Sequence, residues 1–164
     1  MTQSSSATVH ASAVLIGARA VLIRGPSGSG KSRLALELIE AARGGSLRFA
    51  RLVGDDRVHL HAAGRRLLVR PAEALGGLLE VRCAGIMRVP YEPCAVVGLV
   101  VDLGAEADRL PETEKRQVEV AGIKLPRLAV AVNAAALPAL FAILTLGSER
   151  FQGGSDAAVG ISSH

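Results

Sequence analysis

The sequence predicts an α/β fold, a mixed β-sheet with flanking helices built around a phosphate-binding loop. Three patterns carry that expectation. The apolar run 20–24 leads directly into a glycine-rich octapeptide, Gly25 to Ser32, and helical spacing starts where that loop ends. Ala95–Leu103 is almost wholly apolar, as expected of a central strand covered on both faces. Elsewhere short strands are interspersed with helical patterns, without the strict alternation of a purely parallel sheet. The chain has 164 residues, one domain's worth. At that size a fold hides roughly 68–70% of its unfolded surface, enough for a core without disulfide staples.

In chain order, residues 1–6 are polar and form a loose end. Residues 13–16 and 20–24 are short apolar runs around Gly17-Ala18-Arg19, the pattern of a β-hairpin. Residues 32–43 place Leu34, Leu36, Leu38 and Ile39 at helical spacing, and Gly44-Gly45 stops the helix. A short strand follows at 51–53, then a second hairpin from 58–62 and 66–69 around Gly64. Residues 106–124 are charged and read as a surface loop or short helix. Residues 128–146 carry no charge, which passes the length test for a membrane span. Its many alanines, with Asn133 and Pro138, favour a buried strand at 128–132 and then a helix N-capped by Asn133 and reaching Leu146. Residues 153–164 are Gly/Ser-rich and frayed. No linker or repeat divides the chain, so one domain is expected over 1–164, with no membrane segment.

Composition narrows the function classes. Hydrophobic residues make up 49%, yet only Phe49, Tyr91, Phe141 and Phe151 are aromatic, so the core is built from Ala, Val, Leu and Ile. Scarce aromatics argue against single-stranded nucleic acid binding, which uses stacking platforms. A net charge of +4 suits DNA, anionic lipid or a phosphorylated small molecule. With no block of five like charges, the plainer reading is a solvated surface. Neither nucleic acid nor membrane is expected as a partner. Cys83 and Cys94 match no zinc or redox spacing, and no secretory leader is visible, so a cytoplasmic protein with reduced thiols is expected.

Gly25-Pro26-Ser27-Gly28-Ser29-Gly30-Lys31-Ser32 matches G-x-x-x-x-G-K-[ST] in full, after a predicted strand and at the start of a predicted helix. Glycines let the backbone wrap an anion with several N–H groups, and the helix N-terminus adds partial positive charge. Lys31 reaches the β- and γ-phosphates in such a loop, and the Ser32 hydroxyl ligates Mg²⁺. ATP and Mg²⁺ are therefore the expected cofactors. The loop leaves the acceptor open: water, a small molecule or a protein hydroxyl.

Val53-Gly54-Asp55-Asp56 ends a short apolar run with adjacent carboxylates. Near a phosphate loop such a pair supplies a metal-side Asp and a base for the acceptor's proton. An Asp-rich turn is the plainer alternative. His10 precedes Gly25 by fifteen residues; a lone His is more often a surface or core residue than a catalytic one. His59 and His61 alternate on a hairpin but have no third ligand nearby and are read as structural. Glu80, in Leu78-Leu79-Glu80-Val81-Arg82, is either an acid in an apolar setting or the exposed face of a strand.

Together these pieces resemble the catalytic domain of HPr kinase/phosphorylase, the bacterial enzyme that phosphorylates a serine of the phosphocarrier HPr. The likeness covers roughly residues 10–132. It rests on His10 at the right distance from the loop, the Gly-Asp-Asp turn, and Leu79-Glu80-Val81-Arg82-Cys83-Ala84-Gly85-Ile86-Met87-Arg88, which is similar to a Leu-Glu-Ile-Arg-Gly-Leu-Gly-Ile signature. The resemblance implies a core related to that of phosphoenolpyruvate carboxykinases. It makes His10 an active-site residue, Lys31 the loop lysine, and Asp56 the group that takes the serine proton and returns it in reverse. It makes Ser32 and Glu80 the Mg²⁺ ligands, and Arg109 a neutraliser of the transferring phosphoryl group. It also implies an HPr-type carrier as partner and a homohexamer.

The departures carry expectations of their own. Arg33 stands where the family usually has Glu, the connection through 42–50 is longer, and Cys83 replaces a Gly of the signature. The family's Pro-Val-Arg-Pro-Gly-Arg segment, tied to dephosphorylation, corresponds to Ala131-Val132-Asn133-Ala134-Ala135-Ala136, without either arginine. A serine kinase with weak or absent phosphorylase activity is expected. No counterpart of the family's N-terminal regulatory domain precedes His10, as in short forms from alphaproteobacteria, which points to a regulatory role apart from sugar uptake. Two other classes stay open: an ATP-binding regulator without transfer, and a small-molecule kinase.

Overall fold

The computed structural model describes residues 8–107 and 112–147. The ends expected to be loose, and Arg109 and Phe151, lie outside the described residues. Ten strands and two α-helices are present among those described.

β1 (Thr8–Ile16) and β2 (Arg19–Arg24) form the expected hairpin, turning at Gly17 with φ 62°. β1 serves two partners along its length. Residues 13–16 pair with β3 (Ala50–Gly54), and residues 8–10 pair with β4 (Arg57–Ala63). β4 then pairs with β5 (Arg66–Pro71), β5 with β8 (Ala95–Leu103), and β8 in parallel with β2. The path β2–β1–β4–β5–β8 therefore closes on itself as a small barrel. β10 (Ile123–Val130) extends the sheet in parallel beyond β8, and β9 (Gln117–Val120) flanks it.

Alternation along the strands divides the core in two. Ala11, Ala13, Ala20, Leu22, Val58 and Leu67 fill the ring, where five strands leave room for small side chains. Val14, Ile16, Val21 and Ile23 point outward, against Leu34 and Leu38 of α1 (Lys31–Arg43) and Leu140 of α2 (Ala136–Leu146). In β8 the pairing slips by one residue, Ala20 facing Val97 but Val21 facing Leu99. The extra residue, Gly98, is a bulge that lets Val97 face the ring and Leu99 the helices. The central strand is thus covered on both faces, as its sequence predicts. The mixed α/β class holds, and both described α-helices lie on the same face. The strands themselves close the other side.

Two local expectations are corrected. Residues 106–124 are not simply a loop: β9 and the start of β10 form a hairpin around Ala121 (φ 51°) and Gly122 (φ 79°). Val118, Val120 and Ile123 pack against the ring while Gln117, Glu119 and Lys124 point away, so exposed charges hid a period of two. Asn133 does not cap α2. It sits at φ 64° in a turn closed by Ala134 N–H to Ala131 O (3.1 Å), and Ala135 holds the N-cap position. Asn tolerates the left-handed region, and here that use wins over capping. Pro138 falls in the first turn of α2, where its missing N–H costs nothing. α2 has 11 residues, and among the described residues no helix is long and apolar enough to cross a membrane.

Candidate functional site

The glycine-rich loop leaves β2 at Arg24 and enters α1 at Lys31. A Cβ on Gly25 would lie 2.8 Å from the Leu103 carbonyl and 2.6 Å from Ser29 Oγ, so the loop crosses the end of β8 only as glycine. Gly28 (φ 80°) and Gly30 (φ 97°) adopt left-handed conformations that turn the chain into the helix. Gly30 is the N-cap and no acid occupies the first turn, so the free N–H groups of α1 face the loop. Lys31 Nζ donates to Gly25 O (2.8 Å) and Pro26 O (3.0 Å), folding across the same loop. The Ser29 hydroxyl is buried and has no hydrogen-bond partner among the described residues. Backbone donors, a lysine and an orphaned hydroxyl in one loop fit a polyanion.

Asp55 opens the turn after β3 and is 3% exposed. Its Oδ1 accepts from the Ser12 hydroxyl (2.6 Å) and the Ser32 hydroxyl (2.7 Å). Its Oδ2 accepts from Ser32 (3.0 Å) and from the Glu80 N–H (3.1 Å). One buried carboxylate thereby joins β1, the start of α1 after the glycine-rich loop, β3 and β6 (Leu78–Val81). Gly54, just before it, lets β3 pack closely on β4 and β5, since a Cβ there would sit 2.7 Å from Val58 Cγ1 and 3.2 Å from Pro71 Cα. The donors gathered here, hydroxyl and carboxylate oxygens, suit a hard cation such as Mg²⁺.

Asp56 is different. It takes φ 65°, its side chain turns to solvent, and its carboxylate lies 3.8 Å from His10 Nδ1, with both side chains 64% exposed. The adjacent carboxylates are thus separated, one buried and hydrogen-bonded and the other exposed. Glu80 lies on β6, which pairs with β7 (Gly85–Arg88) as a separate two-stranded hairpin. Its backbone meets Asp55 while its side chain is exposed. The structure joins Ser32 and the Glu80 backbone through Asp55 and sets His10 beside Asp56, while Arg109 lies outside the described residues. Among the described residues no group of three metal-ligating side chains forms around His59 and His61.

Sequence reading missed two contributors. Ser12 is fully buried on β1, and its only signal is a polar residue at the start of the strand's apolar stretch, between Ala11 and Ala13. Asp102, at the end of β8, takes both prongs of Arg24 (2.7 and 2.9 Å) and Nε of Arg127 (2.5 Å). Burial pushes the Asp102 carboxyl up, but hydrogen bonds and charge from Arg24 and Arg127 outweigh it and hold it below its ordinary value. This cluster ties the ends of β2 and β8 to β10 one residue before Gly25. Its members are far apart in sequence, and strand register alone brings them together.

Comparisons place this architecture. A solved structure of the Hpr(Ser) kinase/phosphatase from Coxiella burnetii is similar, with a TM-score of 0.69 and 24% identity, covering 90% of this chain and 99% of that one. That likeness supports the mixed α/β fold. The HPr kinase/phosphorylase of Streptococcus uberis is 39% identical over 139 residues, 77% of this chain and 42% of that protein. That of Streptococcus salivarius is 38% identical over the same shares. The chain therefore spans less than half the length of these relatives. The family model of the HPr Serine kinase C-terminal domain matches residues 2–143. With its loop, its Asp55–Asp56 turn and its β6–β7 hairpin in that match, the chain belongs to the HPr serine kinase C-terminal domain family.

Proposed function

We propose that this chain is a single-domain, ATP-dependent serine kinase acting on an HPr-type phosphocarrier protein. The observation that carries the reading is the division of labour at Asp55 and Asp56. The first is buried on the Ser32 hydroxyl of the phosphate loop, and the second is exposed beside His10. Backbone N–H groups of the 25–32 loop, Pro26 aside, and Lys31 hold the phosphates of ATP. Ser32 and Glu80 would hold Mg²⁺, which when bound neutralises charge on the phosphate oxygens. Asp56 accepts the proton of the carrier's serine hydroxyl as its oxygen attacks the γ-phosphorus, and ADP leaves. His10 orients Asp56, and Arg109 steadies the developing charge. The 131–136 turn offers no cationic side chain, which supports weak or absent phosphorylase activity. The homohexamer implied by the family resemblance belongs to the same proposal.

The test is transfer from labelled ATP and Mg²⁺ to the carrier, with wild type, Lys31→Ala and Asp56→Asn. Label on a carrier serine should appear with wild type and fall about 10²–10⁴-fold in Asp56→Asn, the range for loss of a general base. Lys31→Ala should lose it through nucleotide binding. Binding without transfer in wild type would make the chain an ATP-binding regulator, and label only on a metabolite a small-molecule kinase. A companion assay follows phosphate-dependent release from the serine-phosphorylated carrier. Release should be slow or absent; brisk release contradicts the phosphorylase part of the proposal.

A further inference from the structure

We propose that Ser12 is a positioning residue of this site, acting through Asp55 to aim the Ser32 hydroxyl. The proposal rests on the reading of Ser32 as a Mg²⁺ ligand and deepens it. Ser12 is fully buried between Ala11 and Ala13, which face the ring, and itself points to the helix side of β1. A hydroxyl at such a position is costly unless it is bonded. It places its single proton on Asp55 Oδ1 at 2.6 Å, among the shorter polar contacts of the site.

The geometry shows what that bond does. A carboxylate can swing about its Cβ–Cγ bond, and the Ser32 hydroxyl would follow it. Ser12 engages Oδ1 and the Glu80 N–H engages Oδ2, two donors on separate strands that grip opposite oxygens. With the carboxylate pinned, the Ser32 proton has a fixed acceptor at 2.7 Å. Its lone pairs then face away from Asp55, available to a cation. Without Ser12, Oδ1 loses its donor from β1 and the direction of the Ser32 hydroxyl is no longer set by the sheet. Among the described residues Ser12 makes no side-chain hydrogen bond to the loop N–H groups or to Lys31, so phosphate binding without metal should be insensitive to it.

Equilibrium titration with a fluorescent ATP analogue, with Mg²⁺ and with a chelator, tests this on wild type, Ser12→Ala and Ser12→Thr. The Mg²⁺ enhancement of binding should fall about tenfold in Ser12→Ala, the scale of one hydrogen bond to a charged group. Metal-free binding should be unchanged, and Ser12→Thr, which keeps the hydroxyl, should restore the enhancement. Wild-type enhancement in Ser12→Ala overturns the proposal. So does equal weakening of both variants in both conditions, which marks a packing role. A wild type that binds nucleotide with no Mg²⁺ enhancement overturns the underlying reading as well, so the two failures are told apart. If Ser12→Ala does not fold, the near-isosteric Ser12→Cys, a weak donor, carries the same comparison.

Discussion

Asp55 and Asp56 are neighbours in sequence with opposite environments, and the difference predicts opposite mutational behaviour. Asp55→Ala strands the Ser12 hydroxyl and the Glu80 N–H, each formerly bonded to the buried carboxylate. Unsatisfied buried polar groups cost about 1–3 kcal/mol each. Urea unfolding should show Asp55→Ala destabilised by at least about 2 kcal/mol, together with loss of nucleotide binding. Asp56→Asn should unfold with wild type, because the side chain is exposed and Asn accepts the φ of 65°. Its loss of transfer would then be chemical and not structural. The sequence showed a carboxylate pair near the loop but not which member was buried. Nothing in two identical adjacent letters encodes that; the left-handed turn at Asp56 does.

At the scale of elements, the loop is held by Arg24, Asp102 and Arg127, which tie the ends of β2 and β8 to the parallel strand β10. The Asp102 carboxyl is depressed below its ordinary 3.8 by these arginines, against the burial that raises it. A depressed carboxyl stabilises the fold at any pH above its unfolded value, because there it is ionised in both states while only the native state pairs it. That contribution is lost as pH falls below 3.8 through the folded value, where the unfolded chain has already taken its proton. Urea midpoints measured from neutral pH into this acid range should drop for wild type, and the acid-dependent part of the drop should shrink in Asp102→Asn. An identical acid dependence would show that the cluster is not linked to stability. The same scale explains the misread segments. The 117–130 hairpin was masked by exposed charges, and the α2 start by an Asn that serves a turn.

The closed ring β2–β1–β4–β5–β8 sets the character of the whole molecule. Its narrow interior explains the alanines at 11, 13 and 20 and the near absence of aromatic residues from the core. Ala13→Leu should therefore destabilise by about 1–3 kcal/mol through overpacking, read as a lower urea midpoint. A neutral result would mean the ring has slack. The ring also orders the site: β1 carries His10 and Ser12 on one face, β3 delivers Asp55 beside it, and β2 launches the loop into α1. Local sequence by itself determined the loop, its strand and helix, the central strand β8 and the carboxylate turn, since these depend on short-range spacing, glycine conformations and apolar periodicity. Ring closure, the placing of both helices on one face, and the grip of Ser12, Ser32 and Glu80 on one carboxylate were decided only in three dimensions. Each joins residues separated along the chain, through strand register, and no local pattern reports which strands will meet.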